Sequence, residues 1–300
     1  MKISYSAPAK VILSGEHAVV YGKPALVSAI DLRLKFSLFE SKTKIKDSDI
    51  LLISSKVKEY LKKKKIVFKD KKFDFKIESE IPVGRGLGSS AALSAAAVAS
   101  FLEFYSEQKF KKETINNLAF QVEKHFHQNP SGVDNSAVCF GGLILYQKKI
   151  RSTNLNYKIP KEFEEKLFLI DSGQPKEMTG EMVDFVKTTI NKKILVEIEE
   201  TVNKLIVSIK KADKSLFKKC FVENEKLLEK IGVVSENTKE LLDSINKFGS
   251  GKVTGAGGLK TSSGFILFFA ENKIGLEDFL KTNKIKYYEF MPDYQGLIRI

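Results

Sequence analysis

Residues 82–95 read PVGRGLGSSAALSA, with Gly84, Gly86 and Gly88 falling within five residues and Ser89 and Ser90 standing where an Ala-rich helix begins. A helix N-terminus leaves four backbone N–H groups unpaired and carries a partial positive charge. Glycines just upstream let the backbone approach a ligand closely. Such a junction can bind phosphate. Three other readings compete. One is a plain loop-to-helix junction capped by serine. Another is a Walker A loop, which needs a lysine after its last glycine, and here Ser89 follows Gly88. Residues 249–252 do contain Gly-Lys, but Asn246 and Val253 occupy the places of the required Gly and Ser/Thr. The third is a dinucleotide fold, which wants GxGxxG, a different spacing from Gly84-Arg85-Gly86-Leu87-Gly88.

Three further stretches hold polar groups that could face a ligand. In residues 8–26, Lys10 opens an apolar strand and Ser14-Gly15-Glu16-His17 closes it. In residues 123–135, Glu123 sits near a helix end and Asp134 follows a sharp turn at Asn129-Pro130-Ser131-Gly132. Two carboxylates so placed suit phosphoryl transfer: one would hold Mg²⁺ through oxygen, the other would orient or deprotonate a hydroxyl. In residues 252–264, Gly255, Gly257 and Gly258 form a second bare backbone surface. Each stretch also has a plain reading, as a surface lysine, a structural histidine, a helical Glu, an Asp cap or a glycine turn. His125 and His127 are too close in sequence for a helical metal pair.

The elements around these residues follow from pattern. Strands are expected at 2–6, 10–14, 25–30 and 32–39, so that the first third is mostly β. The run 62–65 reads as a solvated helix end. Phe73, Phe75 and Ile77 alternate with charged residues as a half-buried strand. Helices are expected at 89–106 and 112–127, where Ile115, Leu118, Ala119 and Val122 recur at helical spacing. A short helix at 132–139 and a strand at 143–147 follow. Polar residues 150–164, with Pro160, mark a boundary dividing the chain into 1–155 and 156–300. Beyond it the pattern predicts a strand at 167–171, three or four helices between 177 and 248, a strand at 264–270, a short helix and a closing strand region at 286–300. Strands and helices mix without regular βαβ alternation, which argues α+β.

Composition narrows the classes. The chain has 300 residues, 43% of them apolar and 29% charged, as in ordinary globular proteins. No run approaches a membrane span, and MKISYSAPAKVIL has no signal-type apolar region. Cys139 and Cys220 form neither a disulfide framework nor a zinc spacing, which fits a reducing cytoplasm. The net charge of +13 invites a nucleic-acid reading, but the lysines are spread along the chain without a recognition motif. No nucleic-acid or membrane partner is expected. The positive field would draw anionic substrates.

Taken together and in this order, the stretches resemble the GHMP kinase family. PAKVILSGEHAVVYGKPAL, PVGRGLGSSAA and KVTGAGG match its three motifs. GEHAVVYG, HQNPSGVDNSAVCFGG and LFLIDSGQPKEMTGEMV are similar to members that phosphorylate mevalonate, whereas galactokinases carry a GEHTDY-type stretch. The resemblance implies an N-terminal part like ribosomal protein S5 domain 2 and a ferredoxin-like C-terminal part. It implies a cytoplasmic enzyme with ATP and Mg²⁺ as cofactors, mevalonate as small-molecule substrate and a homodimer as a possible assembly. Gly84, Arg85, Gly86, Leu87, Gly88, Ser89 and Ser90 would wrap the ATP phosphates. Ser90 and Glu123 would ligate Mg²⁺. Asp134 would be the catalytic base with Lys10 beside it. Glu16, His17, Thr254, Gly255, Ala256 and Gly257 would lie on the substrate side. The alternatives are a family member acting on phosphomevalonate, homoserine or a sugar, or a non-catalytic relative. One departure stands out: Leu259-Lys260-Thr261 replaces later glycines of the third motif, and Lys260 either reaches the ligand or turns outward.

Overall fold

The computed structural model describes residues 2–42, 45–126, 130–148 and 153–300. The chain opens with two long antiparallel strands, β1 (Lys2–Ser14) and β2 (Ala25–Glu40), then helix α1 (Ser48–Lys63) and β3 (Phe73–Ser79). Helices α2 (Ser89–Ser106), α3 (Lys112–Phe126) and α4 (Val133–Phe140) follow, then β4 (Leu143–Tyr146), β5 (Thr153–Asn154) and the single turn α5 (Lys161–Glu164). Next come β6 (Leu167–Asp171) and four helices: α6 (Thr179–Thr189), α7 (Lys192–Lys211), α8 (Lys214–Lys230) and α9 (Glu236–Ile245). The chain continues through β7 (Gly249–Thr254), β8 (Phe265–Ala270), α10 (Lys273–Thr282), β9 (Tyr287–Glu289) and β10 (Ile298–Arg299).

Two antiparallel sheets organise these elements. The first has the order β10-β1-β2-β4-β5, with β3 also paired to β2; the second runs β7-β8-β6-β9. The architecture is α+β, as the pattern predicted. Residues 290–299 return to the first sheet, where β10 pairs with β1. Arg33 is ion-paired with Asp293 there, and Arg299 Nε donates to Glu103 Oε1 at 2.8 Å. No helix among the described residues is long and apolar enough to cross a membrane.

Helix α2 explains how the first sheet holds its shape. Almost all of it is buried, with β1 and β2 on one side and α1, α3 and α4 on the others. A helix covered all round carries apolar residues all round. Its alanines at 91, 92, 95, 96, 97 and 99 let the strands come close. Farther along, Phe101 meets Phe73 edge-on at 4.8 Å between ring centres.

Three element predictions needed correction. Strands 2–6 and 10–14 are one strand, because β1 runs through Pro8 with a β-bulge at Pro8/Ala9. Proline lacks the ladder donor, but β10 pairs only with Tyr5 and Ser6, so the β10 side is already open there. Strands 25–30 and 32–39 are likewise one, kept continuous where Asp31 N–H donates to Met291 O at 2.7 Å. Residues 48–63 form α1 in a region read mainly as strand. Asp47 caps it, and Ile50, Ile53, Val57 and Leu61 make the buried stripe. The run 62–65 does lie at its end.

Candidate functional site

The loop before α2 has φ of 73° at Gly84, 84° at Gly86 and 77° at Gly88. Left-handed backbone at every second residue lets successive N–H groups converge on one point, a concavity suited to an anion. Leu87 anchors the loop: its side chain lies in the core, and its carbonyl accepts from Lys10 N–H at 3.0 Å. Gly88 is the N-cap of α2 and brings no side-chain cap, and Ser89 and Ser90 begin the first helical turn. The Arg85 side chain turns to an ion pair with Asp171 at the end of β6.

Lys10 and Asp134, 124 positions apart in sequence by their numbering, meet beside this loop. Lys10 Nζ is 3.2 Å from Asp134 Oδ1, with side-chain exposures of 3% and 37%. The ammonium is therefore buried while the carboxylate stays open to an incoming group. Asp134 stands in the first turn of α4, entered through Gly132 at φ 88°. A Cβ on Gly132 would stand 2.7 Å from the Tyr146 hydroxyl. The Lys10 stem runs across Gly88, where a Cβ would stand 2.9 Å from Lys10 Cγ. The ion pair and the glycine loop are thus parts of one site.

Glu123 reaches the same helix end from α3. Ser90 Oγ donates to Glu123 Oε2 at 3.2 Å and Ser94 Oγ to Oε1 at 2.8 Å. This is a hard oxygen donor pair of the kind that completes a Mg²⁺ shell together with phosphate oxygens. Among the described residues no group of three or more His, Cys, Asp or Glu could hold a metal alone. Residues His127 and Asn129, named above, lie outside the described residues.

The second glycine stretch closes on the first. A Cβ on Gly255 (φ 92°) would stand 3.2 Å from Gly86 Cα, so the two loops touch backbone to backbone. Thr254, Ala256 and Gly257 line a cleft with Gly84, Arg85, Gly86, Pro175, Glu177, Thr179 and Ser263. His17 Nε2–H donates to Ala256 O at 3.0 Å. The Glu16 carboxylate is sealed in an ion pair with Lys252, and neither residue has an exposed side chain. Leu259 packs into a small apolar cluster and its N–H donates to Glu177 Oε2 at 3.2 Å, while Lys260 is exposed.

Several participants escaped the sequence reading. Ser94 was legible in principle, since it lies one helical turn after Ser90 on the same face. Asn224 and Glu225 gave no local signal, while Asp171, Glu177 and Lys252 lay inside matched stretches without being singled out. Asp171 and Lys252 lie on strands, and Glu225 and Asn224 on a helix, whose contacts are all tertiary.

Two buried groups make stability depend on pH with opposite signs. Burial pushes Glu225 up to about 7, against partial relief from the Val253 N–H and Lys252. Burial drops His17 to about 4, against its bond to Ala256. A carboxyl raised in the fold contributes fully below its unfolded value of 4.5 and loses that contribution as pH climbs through about 7. A lowered histidine contributes above 6.5 and loses its share as pH falls through about 4. The two slopes oppose each other between those limits. Glu225→Gln is expected to gain up to about 3 kcal/mol over the wild type on going from low to neutral pH. Melting temperatures near about pH 5 and about pH 8 check this, and parallel curves would refute it.

The GHMP kinases N terminal domain profile matches residues 52–142. The mevalonate kinase of Archaeoglobus fulgidus is 33% identical, over 84% of this chain and 88% of its own length. That of Methanocaldococcus jannaschii is 31% identical, again over 84% of this chain and 88% of its own. The crystal structure of the Methanococcus jannaschii mevalonate kinase superposes with a TM-score of 0.82 at 25% identity, covering 97% of this chain and 98% of that one. Similarity of this extent places the chain in the GHMP kinase family, among its mevalonate kinases.

Proposed function

We propose that this chain transfers the γ-phosphoryl group of ATP to the 5-hydroxyl of mevalonate, with Mg²⁺ as the metal. The observation that carries the reading is the Lys10–Asp134 pair at 3.2 Å, packed against Gly88 of the phosphate loop. An aliphatic alcohol is a weak nucleophile and needs a carboxylate base and a neighbouring cation. The substrate itself follows from the relatives. We read the chain as two lobes, 1–155 and 156–300, with ATP and mevalonate meeting between them.

In this reading the N–H groups of residues 84–90 hold the phosphates, and Ser90 and Glu123 hold Mg²⁺, which when bound neutralises phosphate charge. Asp134 accepts the hydroxyl proton as the alcohol oxygen bonds to the γ-phosphorus. The bond from that phosphorus to the β–γ bridging oxygen breaks and ADP leaves. Lys10 stabilises the charge that develops. His17 and residues 255–257 border the acceptor, while Glu16 and Thr254 act from behind them.

The test is ADP release by purified protein with ATP and Mg²⁺ on mevalonate, phosphomevalonate, homoserine and galactose. Turnover on mevalonate alone is expected. Turnover on another acceptor would move the substrate, and no turnover with ATP still bound would overturn the reading. Glu123→Gln is expected to raise the Mg²⁺ concentration needed for half-maximal rate at least about tenfold. A Mg²⁺ titration superimposable on the wild type would remove Glu123 from the metal.

A further inference from the structure

Along residues 10–12 the edge of β1 away from β2 is no longer covered by β10, whose pairing stops at Ser6. Backbone groups on such an edge must find other partners. At residue 10 the N–H goes to Leu87 O, the phosphate loop, at 3.0 Å. At residue 12 both groups go to β7 in the second sheet. Thr254 Oγ1 accepts from Ile12 N–H at 3.0 Å and donates to Ile12 O at 3.0 Å. The same carbonyl accepts from Lys252 Nζ at 3.4 Å.

The lysine is wholly buried, and a buried ammonium demands a counter-ion and acceptors. Glu16 supplies the charge. Glu16 Oε2 accepts in turn from Asn224 Nδ2 at 3.5 Å, and Asn224 Oδ1 accepts from Ser14 Oγ. Residues 12, 14 and 16 are thereby tied to α8 and β7. The single hydroxyl proton of Thr254 is committed to the strand, so this side chain is turned to Ile12 and has no proton left for a ligand.

We infer that Lys252 and Thr254 are positioning residues for phosphoryl transfer: together they clamp the Ile12 backbone and thereby fix Lys10, two residues away, against the phosphate loop. The inference rests on the kinase reading above and gives Thr254 a role behind the acceptor site. It makes β7 the element through which the second sheet sets the geometry of a pair whose members lie on β1 and α4. Misplacing a catalytic group by about 1 Å lowers the rate of the chemical step about a hundredfold, and a loss confined to the transition state leaves KM nearly unchanged.

The test is steady-state kinetics with melting temperatures on three variants beside the wild type. Thr254→Val removes both bonds to Ile12 and leaves the buried charge pair intact. It is expected to lower kcat at least about tenfold, with both KM values within about threefold. Thr254→Ser, which keeps the hydroxyl, is expected to restore kcat. The double variant Lys252→Met with Glu16→Gln leaves no unpaired buried charge, and is expected to melt near the wild type with kcat lowered at least about tenfold. A double variant that is stable and fully active would make Lys252 a mere counter-ion and overturn its positioning role. If the double variant does not fold, Thr254→Val decides alone, and wild-type kcat there overturns the clamp. A wild-type protein inactive on every acceptor would instead sink the kinase reading, and the clamp with it.

Discussion

Asp134→Asn is expected to lower kcat about a thousandfold, with both KM values within a few-fold of the wild type. Asparagine keeps an oxygen for Lys10, so the buried ammonium retains an acceptor and the fold survives. What disappears is the basicity that takes the hydroxyl proton. Lys10→Met is expected to fall by a similar factor, because the carboxylate then loses the cation held 3.2 Å away. Residues that act as a unit are not additive, so the double variant should be little worse than either single one. Single-turnover rates and thermal melts of all three settle this. A product of the two losses in the double variant, or an Asp134→Asn enzyme within tenfold of wild type (about 1.4 kcal/mol), would contradict the assignment.

Gly88→Ala is expected to cost both rate and stability, by separable routes. The backbone there has φ of 77°, a conformation that costs an L-residue about 1–2 kcal/mol. The added Cβ would also stand 2.9 Å from Lys10 Cγ and 3.2 Å from Cε, so the lysine must shift. A shift of about 1 Å in a catalytic group costs about a hundredfold in rate. Gly22→Ala is the control: its φ is 83°, yet a Cβ there meets nothing within 4 Å. It should lower the melting temperature and leave kcat unchanged. Equal kcat losses in both variants would show that backbone strain, and not displacement of Lys10, is what matters.

The sequence showed the site's parts better than their wiring. Gly84, Gly86 and Gly88 are legible because glycine at every second residue points to left-handed backbone, as their φ values of 73°, 84° and 77° have it. Glu123 and Asp134 are legible because each stands near the end of a recognisable helix, whereas Lys10, read as opening a strand, lies inside the continuous β1. Lys252 is not, because a lysine read in one dimension is a solvated charge. Only the fold reveals that Ile12, Glu16 and Lys252 share one buried volume. The same limit hid β7, where Gly249 and Gly251 weaken the strand signal and Phe268 of the neighbouring strand packs against Gly251. Helix α1 was a different case. Its capping aspartate and apolar stripe were present in the sequence, and its spacing of three and four was the signal to weigh. The loop carrying Lys260 shows accommodation: Leu259 turns inward to the apolar cluster and Lys260 outward.

The return of residues 290–299 to the first sheet bears on how the protein is made. Arg33 Nη2 donates to Gly296 O across a separation of 263 residues. On a ribosome β1 emerges well before β10, the strand that covers its edge at Tyr5 and Ser6. Until then β1 presents unpaired backbone groups, the kind of edge that recruits other chains. Contacts this distant in sequence also slow folding. A chain interrupted before residue 290 would therefore leave the Tyr5–Ser6 edge of β1 open to aggregation.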